Sequence, residues 1–80
     1  MNEKILSHVY ELITDASEFY AQNKDDDKRS VEFVFAATQP AETVKGFNIP
    51  YGDGVSDQHG AGKLWGRGNG ALIVVSVVVA

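Results

Sequence analysis

Eighty residues with eleven acidic and seven basic side chains make an acidic chain of formal charge −4 that contains no cysteine. The length allows one domain, the absent thiols exclude disulfide stabilisation, and the charge argues against bulk attraction to nucleic acid or an anionic membrane. A structural zinc site would have only His8 and His59 to join carboxylates, which leaves association with another chain as the way to stabilise so small a core.

The chain opens Met1-Asn2-Glu3-Lys4-Ile5, without the basic start and apolar run of a secretory signal. Residues 2–23 then read as an amphipathic helix, with Ile5, Val9, Leu12, Ala16 and Phe19 at three-to-four spacing and Leu6, Ile13 and Tyr20 widening the stripe. Asn2 fits an N-cap. The charged run Lys24 to Arg29 closes the helix, and Asp25-Asp26-Asp27 within it reads as a solvated turn, since it lacks the ligand spacing of a calcium loop.

Residues 31–38 read as a strand, with Val31, Phe33, Phe35 and Ala37 on one face and Glu32, Val34, Ala36 and Thr38 on the other. Pro40 ends it. Two readings stand for the next segment, a helical turn over Ala41–Lys45 or an extended Thr43–Ile49 paired back on the strand. All eight glycines fall between Gly46 and Gly70, which reads as a long glycine-rich loop with short strands. Asn69-Gly70 is a tight-turn signal and predicts a hairpin of Lys63–Gly68 with Ala71–Ser76. The last segment, Ala71–Ala80, alternates Ile73, Val75, Val77 and Val79 with Leu72, Val74, Ser76 and Val78. Both faces are apolar, as in a central strand covered on two sides. At ten residues it is about half a membrane helix, so no membrane contact and a cytoplasmic location are expected. The expected fold is α+β in a single domain over 1–80: one helix on a small, mostly antiparallel sheet of three to four strands.

No catalytic or metal constellation is complete. Gly60-Ala61-Gly62-Lys63-Leu64 has Asp57 where a phosphate-binding loop needs its first glycine, and leucine where it needs a hydroxyl. Gly66-Arg67-Gly68-Asn69-Gly70 precedes a strand, where a dinucleotide fingerprint opens a helix. Asp53, Asp57 and His59 lie close in sequence, yet a histidine in a polar glycine-rich loop is usually solvated, and Ser56 sits on no nucleophile elbow. No catalytic residue, metal or cofactor is therefore assigned, and an enzyme is disfavoured.

Lys63, Trp65 and Arg67 alternate, so an extended backbone puts an aromatic between two cations, as nucleotide or single-stranded nucleic-acid binding would use. The plainer alternatives are that Trp65 caps the core or serves an interface. With Tyr51 and His59, these three form the candidate ligand- or partner-binding set. The preferred expectation is a non-enzymatic, inhibitor-like or regulatory protein-binding module that forms a homo-oligomer through its sheet. That profile of size, acidity and absent motifs is shared by phage-type inhibitors and small regulatory subunits, an analogy only. The alternative is nucleotide, small-molecule or short nucleic-acid binding by the glycine-rich loop. A third reading treats Ala80, which ends an apolar run without a polar stop, as a point where a longer protein continues.

Overall fold

A computed structural model of the chain describes residues 2–15, 19–56 and 63–77, and every regular element among them is a strand. In chain order these are β1 (Asn2–Ile5), β2 (Glu11–Thr14), β3 (Phe19–Asn23), β4 (Val31–Ala36), β5 (Phe47–Ile49), β6 (Gly54–Ser56), β7 (Lys63–Arg67) and β8 (Leu72–Val77). They build two four-stranded sheets, sheet A in the order β1-β8-β3-β6 and sheet B in the order β2-β7-β4-β5. All pairings are antiparallel.

The fold is therefore all-β, and the α+β expectation is corrected at its first element. Residues 2–23 hold three strands, with no helix among those described. The cause is non-local. β8 presents unpaired backbone N–H and C=O groups along both edges, and β1 and β3 pair with them, one on each side. Ile5, Val9, Tyr10, Ile13, Thr14, Phe19 and Tyr20 are β-branched or aromatic, so the segment accepts the pleat readily. Tertiary pairing overrides its helical spacing.

The two sheets are one sheet folded over. β1 and β2 pair with β8 and β7, β3 and β4 pair with the same two, and β6 and β5 flank β3 and β4. Each long strand thus bends at a common corner, where the backbone keeps pairing: Leu6 N–H donates to Ala71 O at 3.0 Å and Gly70 N–H to Leu6 O at 2.8 Å. Asn69-Gly70 makes this corner rather than the expected hairpin, for β7 and β8 lie in different sheets and pair with other strands. Gly70 turns it with φ of 82°, a conformation that favours glycine.

Phe19, Ala21, Ile73 and Val75 of sheet A meet Val31, Phe33 and Leu64 of sheet B in one core, closed at the corner by Leu6 and Ala71. Phe19 reaches across to Phe35 with ring centroids 6.3 Å apart. The described part of the glycine-rich region contains β5, β6 and β7. At Gly66, buried on the inner side of β7, a Cβ would stand 2.5 Å from Ile13 Cδ1 and 3.0 Å from Phe33 Cδ1, so glycine lets these two side chains pack directly on the backbone of β7. Of the two readings for residues 40–50, the extended one holds where β5 pairs with β4, and the preceding stretch makes a single turn with Val44 N–H on Ala41 O at 3.0 Å.

The corner also buries polar groups. Asn23 is fully buried, its Nδ2 donating to Arg29 O at 2.7 Å and Ile49 O at 3.0 Å. Asp25 is buried too, and it accepts from the Arg29 side chain and backbone and from the Leu72 N–H. Of the acidic run expected to be solvated, only Asp26 and Asp27 are exposed. Among the described residues no helix is long and apolar enough to cross a membrane.

Candidate functional site

Each sheet has an outer face, and the two differ. The outer face of sheet B is roofed. The ten residues 37–46 between β4 and β5 cross it as a strap, held at both ends of its course: Gln39 Nε2 donates to Tyr10 O at 2.8 Å, and the Tyr10 hydroxyl donates to Val44 O at 2.7 Å. Arg67 stacks on the Tyr10 ring, its guanidinium carbon 4.3 Å from the centroid, and pairs with Glu32 at 3.3 Å. The same guanidinium donates to Glu42 O at 2.7 Å and Val44 O at 3.2 Å. Gly46 N–H on Glu32, with Arg67 adding to it, holds that carboxyl below its ordinary value. Burial pushes the Tyr10 hydroxyl up.

These contacts fix where the sequence-derived residues stand. Lys63, Trp65 and Arg67 do share one side of β7, with Leu64 and Gly66 buried on the other. Two of the three turn their donors inward to the protein, however: Trp65 Nε1 donates to Ala36 O at 2.9 Å, and Arg67 is committed to Glu32 and the strap. Lys63 is exposed. Tyr51 lies on the β5–β6 connection, about half exposed, with Lys28 Nζ 5.8 Å from its ring centroid. His59 and Asp57 lie outside the described residues, and Asp53 takes part through its backbone, accepting the Asn23 N–H. Beside Arg67 a polar cleft of about 350 Å³ opens toward His8, Asn48 and Asn69. Its two formal charges, Glu32 and Arg67, already satisfy each other.

Among the described residues, the outer face of sheet A has no such roof. Along central β8, Leu72, Val74 and Ser76 are only half-buried, although the sequence suggested cover on both sides. The register sets Ile5 beside Leu72, Glu3 beside Val74, Gln22 on the other side of Val74 and Tyr20 beside Ser76. Ile5 is 66% exposed and Tyr20 44%. Glu3, Tyr20, Gln22, Lys24, Val74 and Ser76 line a depression of about 660 Å³. An aliphatic strip with a tyrosine at its side and charges at its rim is what interaction surfaces present. Period-two alternation marks Leu72, Val74 and Ser76 in the sequence; Glu3, Ile5, Tyr20, Gln22 and Lys24 join them only through pairing with β8.

No family model, curated protein or solved structure matches the chain. The geometry of this surface is the guide to its role.

Proposed function

We propose that this chain is a small, non-enzymatic protein-binding module of the regulatory or inhibitor-like kind, and that it binds through the outer face of sheet A. The observation that carries the proposal is the contrast between the faces: residues 37–46 cover the Tyr10, Glu32 and Arg67 end of sheet B and leave Leu12 41% exposed near its β2 edge, while Ile5, Tyr20, Leu72 and Val74 of sheet A form a continuous strip that meets water. Covering a side chain of this kind contributes about 1.5–3 kcal/mol when burial is complete, a large share for a domain of this size. A cytosolic setting belongs to the same reading, supported by a composition free of cysteine.

The alternative, nucleotide or nucleic-acid binding at Lys63, Trp65 and Arg67, has weaker support. Two of those three side chains direct their N–H groups into the protein, and a ligand would first have to displace the strap.

Site-specific photo-crosslinking in cells tests the proposal. A photoreactive residue replacing Tyr20 on sheet A is expected to trap protein adducts, and one replacing Asn48 on sheet B is not. Adducts from position 48 alone, or from neither, would refute the assignment.

A further inference from the structure

A binding face on sheet A needs an occupant, and the charges and edges of that face point to one. Resting on the binding-module reading, we infer that the partner is a second copy of this chain, docked face to face through sheet A about a two-fold axis.

The edges are closed to association. β1 and β2 form one edge of the folded sheet, and there Lys4 and Glu11 stand on the core-facing side, paired at 3.7 Å. A register shift between Leu12 and Thr14 further interrupts β2. The opposite edge is β5 and β6, three residues each. Inward charges, bulges and short strands are the devices that stop sheets from adding strands at their rims. The apolar β8 is not at a rim at all. Association through the sheet must therefore use a face, and sheet A is the open one.

The charge pattern selects a second copy. A molecule of formal charge −4 repels its own kind, so copies must meet where the local charge vanishes. Among the described residues of this face the charged ones are Glu3 and Lys24, one of each sign. They sit on the strands flanking β8: Glu3 on β1 level with Val74, and Lys24 just beyond β3, its N–H on Leu72 O at 3.0 Å. Neither has an ion-pair partner among the described residues. A two-fold axis lying in the face between Val74 and Leu72 brings Glu3 of each copy to Lys24 of the other, forming the pair twice, as an isologous interface requires. The same operation lays Leu72, Val74 and Ile5 of one copy on the apolar strip of the other.

Sedimentation equilibrium of the full chain from micromolar to millimolar concentration tests the inference with charge reversals. Wild type is expected to form a reversible dimer. Glu3→Lys or Lys24→Glu alone sets two like-charge contacts in the interface and weakens it by about tenfold. The double reversal restores the pairs and recovers most of the affinity, and Val74→Asp leaves monomer. A dimer indifferent to all four variants, or a wild type that stays monomeric throughout, overturns the inference. In the monomeric case, solvent paramagnetic relaxation of the Ile5, Leu72 and Val74 methyl groups separates the two levels. Wet methyls mean that a different protein fills the face and the binding-module reading stands; shielded methyls sink that reading as well.

Discussion

Asn23→Ala tests whether the corner holds the folded sheet together. Asn23 is fully buried, and its amide makes three bonds: Nδ2 to Arg29 O and Ile49 O, and Oδ1 from the Asp25 N–H at 3.0 Å. They tie β3 to the turn that leads into β4 and to the end of β5, three segments otherwise joined across a bend. Truncation removes all three and leaves their backbone partners short of a bond inside the protein. At about 1 kcal/mol per neutral bond the loss is about 3 kcal/mol. A domain of this length has a total stability of about 4–12 kcal/mol, so the change takes away a quarter or more. Urea unfolding followed by Trp65 fluorescence reads it. With a slope of about 1–3 kcal/mol/M the midpoint should fall by about 1–3 M at unchanged slope. Asn23→Asp should cost at least as much near neutral pH, because it turns a carboxylate oxygen toward two carbonyl oxygens. Asn48→Ala, on the exposed side of β5, should stay within about 0.5 kcal/mol. If Asn23→Ala also stays within that margin, the corner network is ornamental and the bend is held by apolar packing alone.

Gly66→Ala places a methyl 2.5 Å from Ile13 Cδ1 and 3.0 Å from Phe33 Cδ1; overpacking of this kind costs about 1–3 kcal/mol, and thermal unfolding should show a midpoint lower by several degrees. Asp25 is held down to about 2 by hydrogen bonds from the Arg29 side chain and backbone. Its stabilising effect is therefore complete above the usual carboxylate value and disappears as pH falls through about 2; Asp25→Asn should flatten the fall of the unfolding midpoint between those limits, and an unchanged acid limb would contradict the assignment. Arg67→Gln removes the stack on Tyr10 and the bonds to Glu42 O and Val44 O. Trypsin should then cut after Lys45 about tenfold faster, which corresponds to about 1.4 kcal/mol of easier local opening of the strap.

How much of this was legible in the sequence depends on where the pairing partner lies. β4 and β8 show in the alternation of Val31 to Ala36 and Leu72 to Val77, while β5 is one of two readings that the sequence leaves open after Pro40. Residues 2–23 misled for a definite reason. The stripe of Ile5, Val9 and Leu12 has the spacing of a helix face, yet Ile5 and Leu12 are exposed while Leu6 and Tyr10 are buried, because the corner after β1 and the register shift in β2 interrupt the period of two. Asn23 hid the third inward position of β3, since a buried amide reads as polar. Asn69-Gly70 marks a reversal correctly in its local chemistry; whether the chain turns back on itself or rounds a corner is decided by Leu6 and Ser7, more than sixty residues away in sequence. The same holds for the site. The shared side of Lys63, Trp65 and Arg67 was visible from alternation, but the commitment of Arg67 to Glu32 and the strap was not.

The strap explains why one face is left open. It is the longest connection in the fold, and it alone crosses an outer face among the described residues; the corner segments 6–10, 24–30, 50–53 and 68–71 are each occupied in turning from one sheet to the other. With two layers already built from 80 residues, roofing β8 from within would require a second excursion of similar length. A partner does the same work by mass action: whatever binds only the folded chain raises its stability by an amount that grows with partner concentration. If that partner is a second copy, folding and association are coupled through Leu72 and Val74. The unfolding midpoint then climbs with protein concentration, while a Val74→Asp chain unfolds at one temperature however dilute it is.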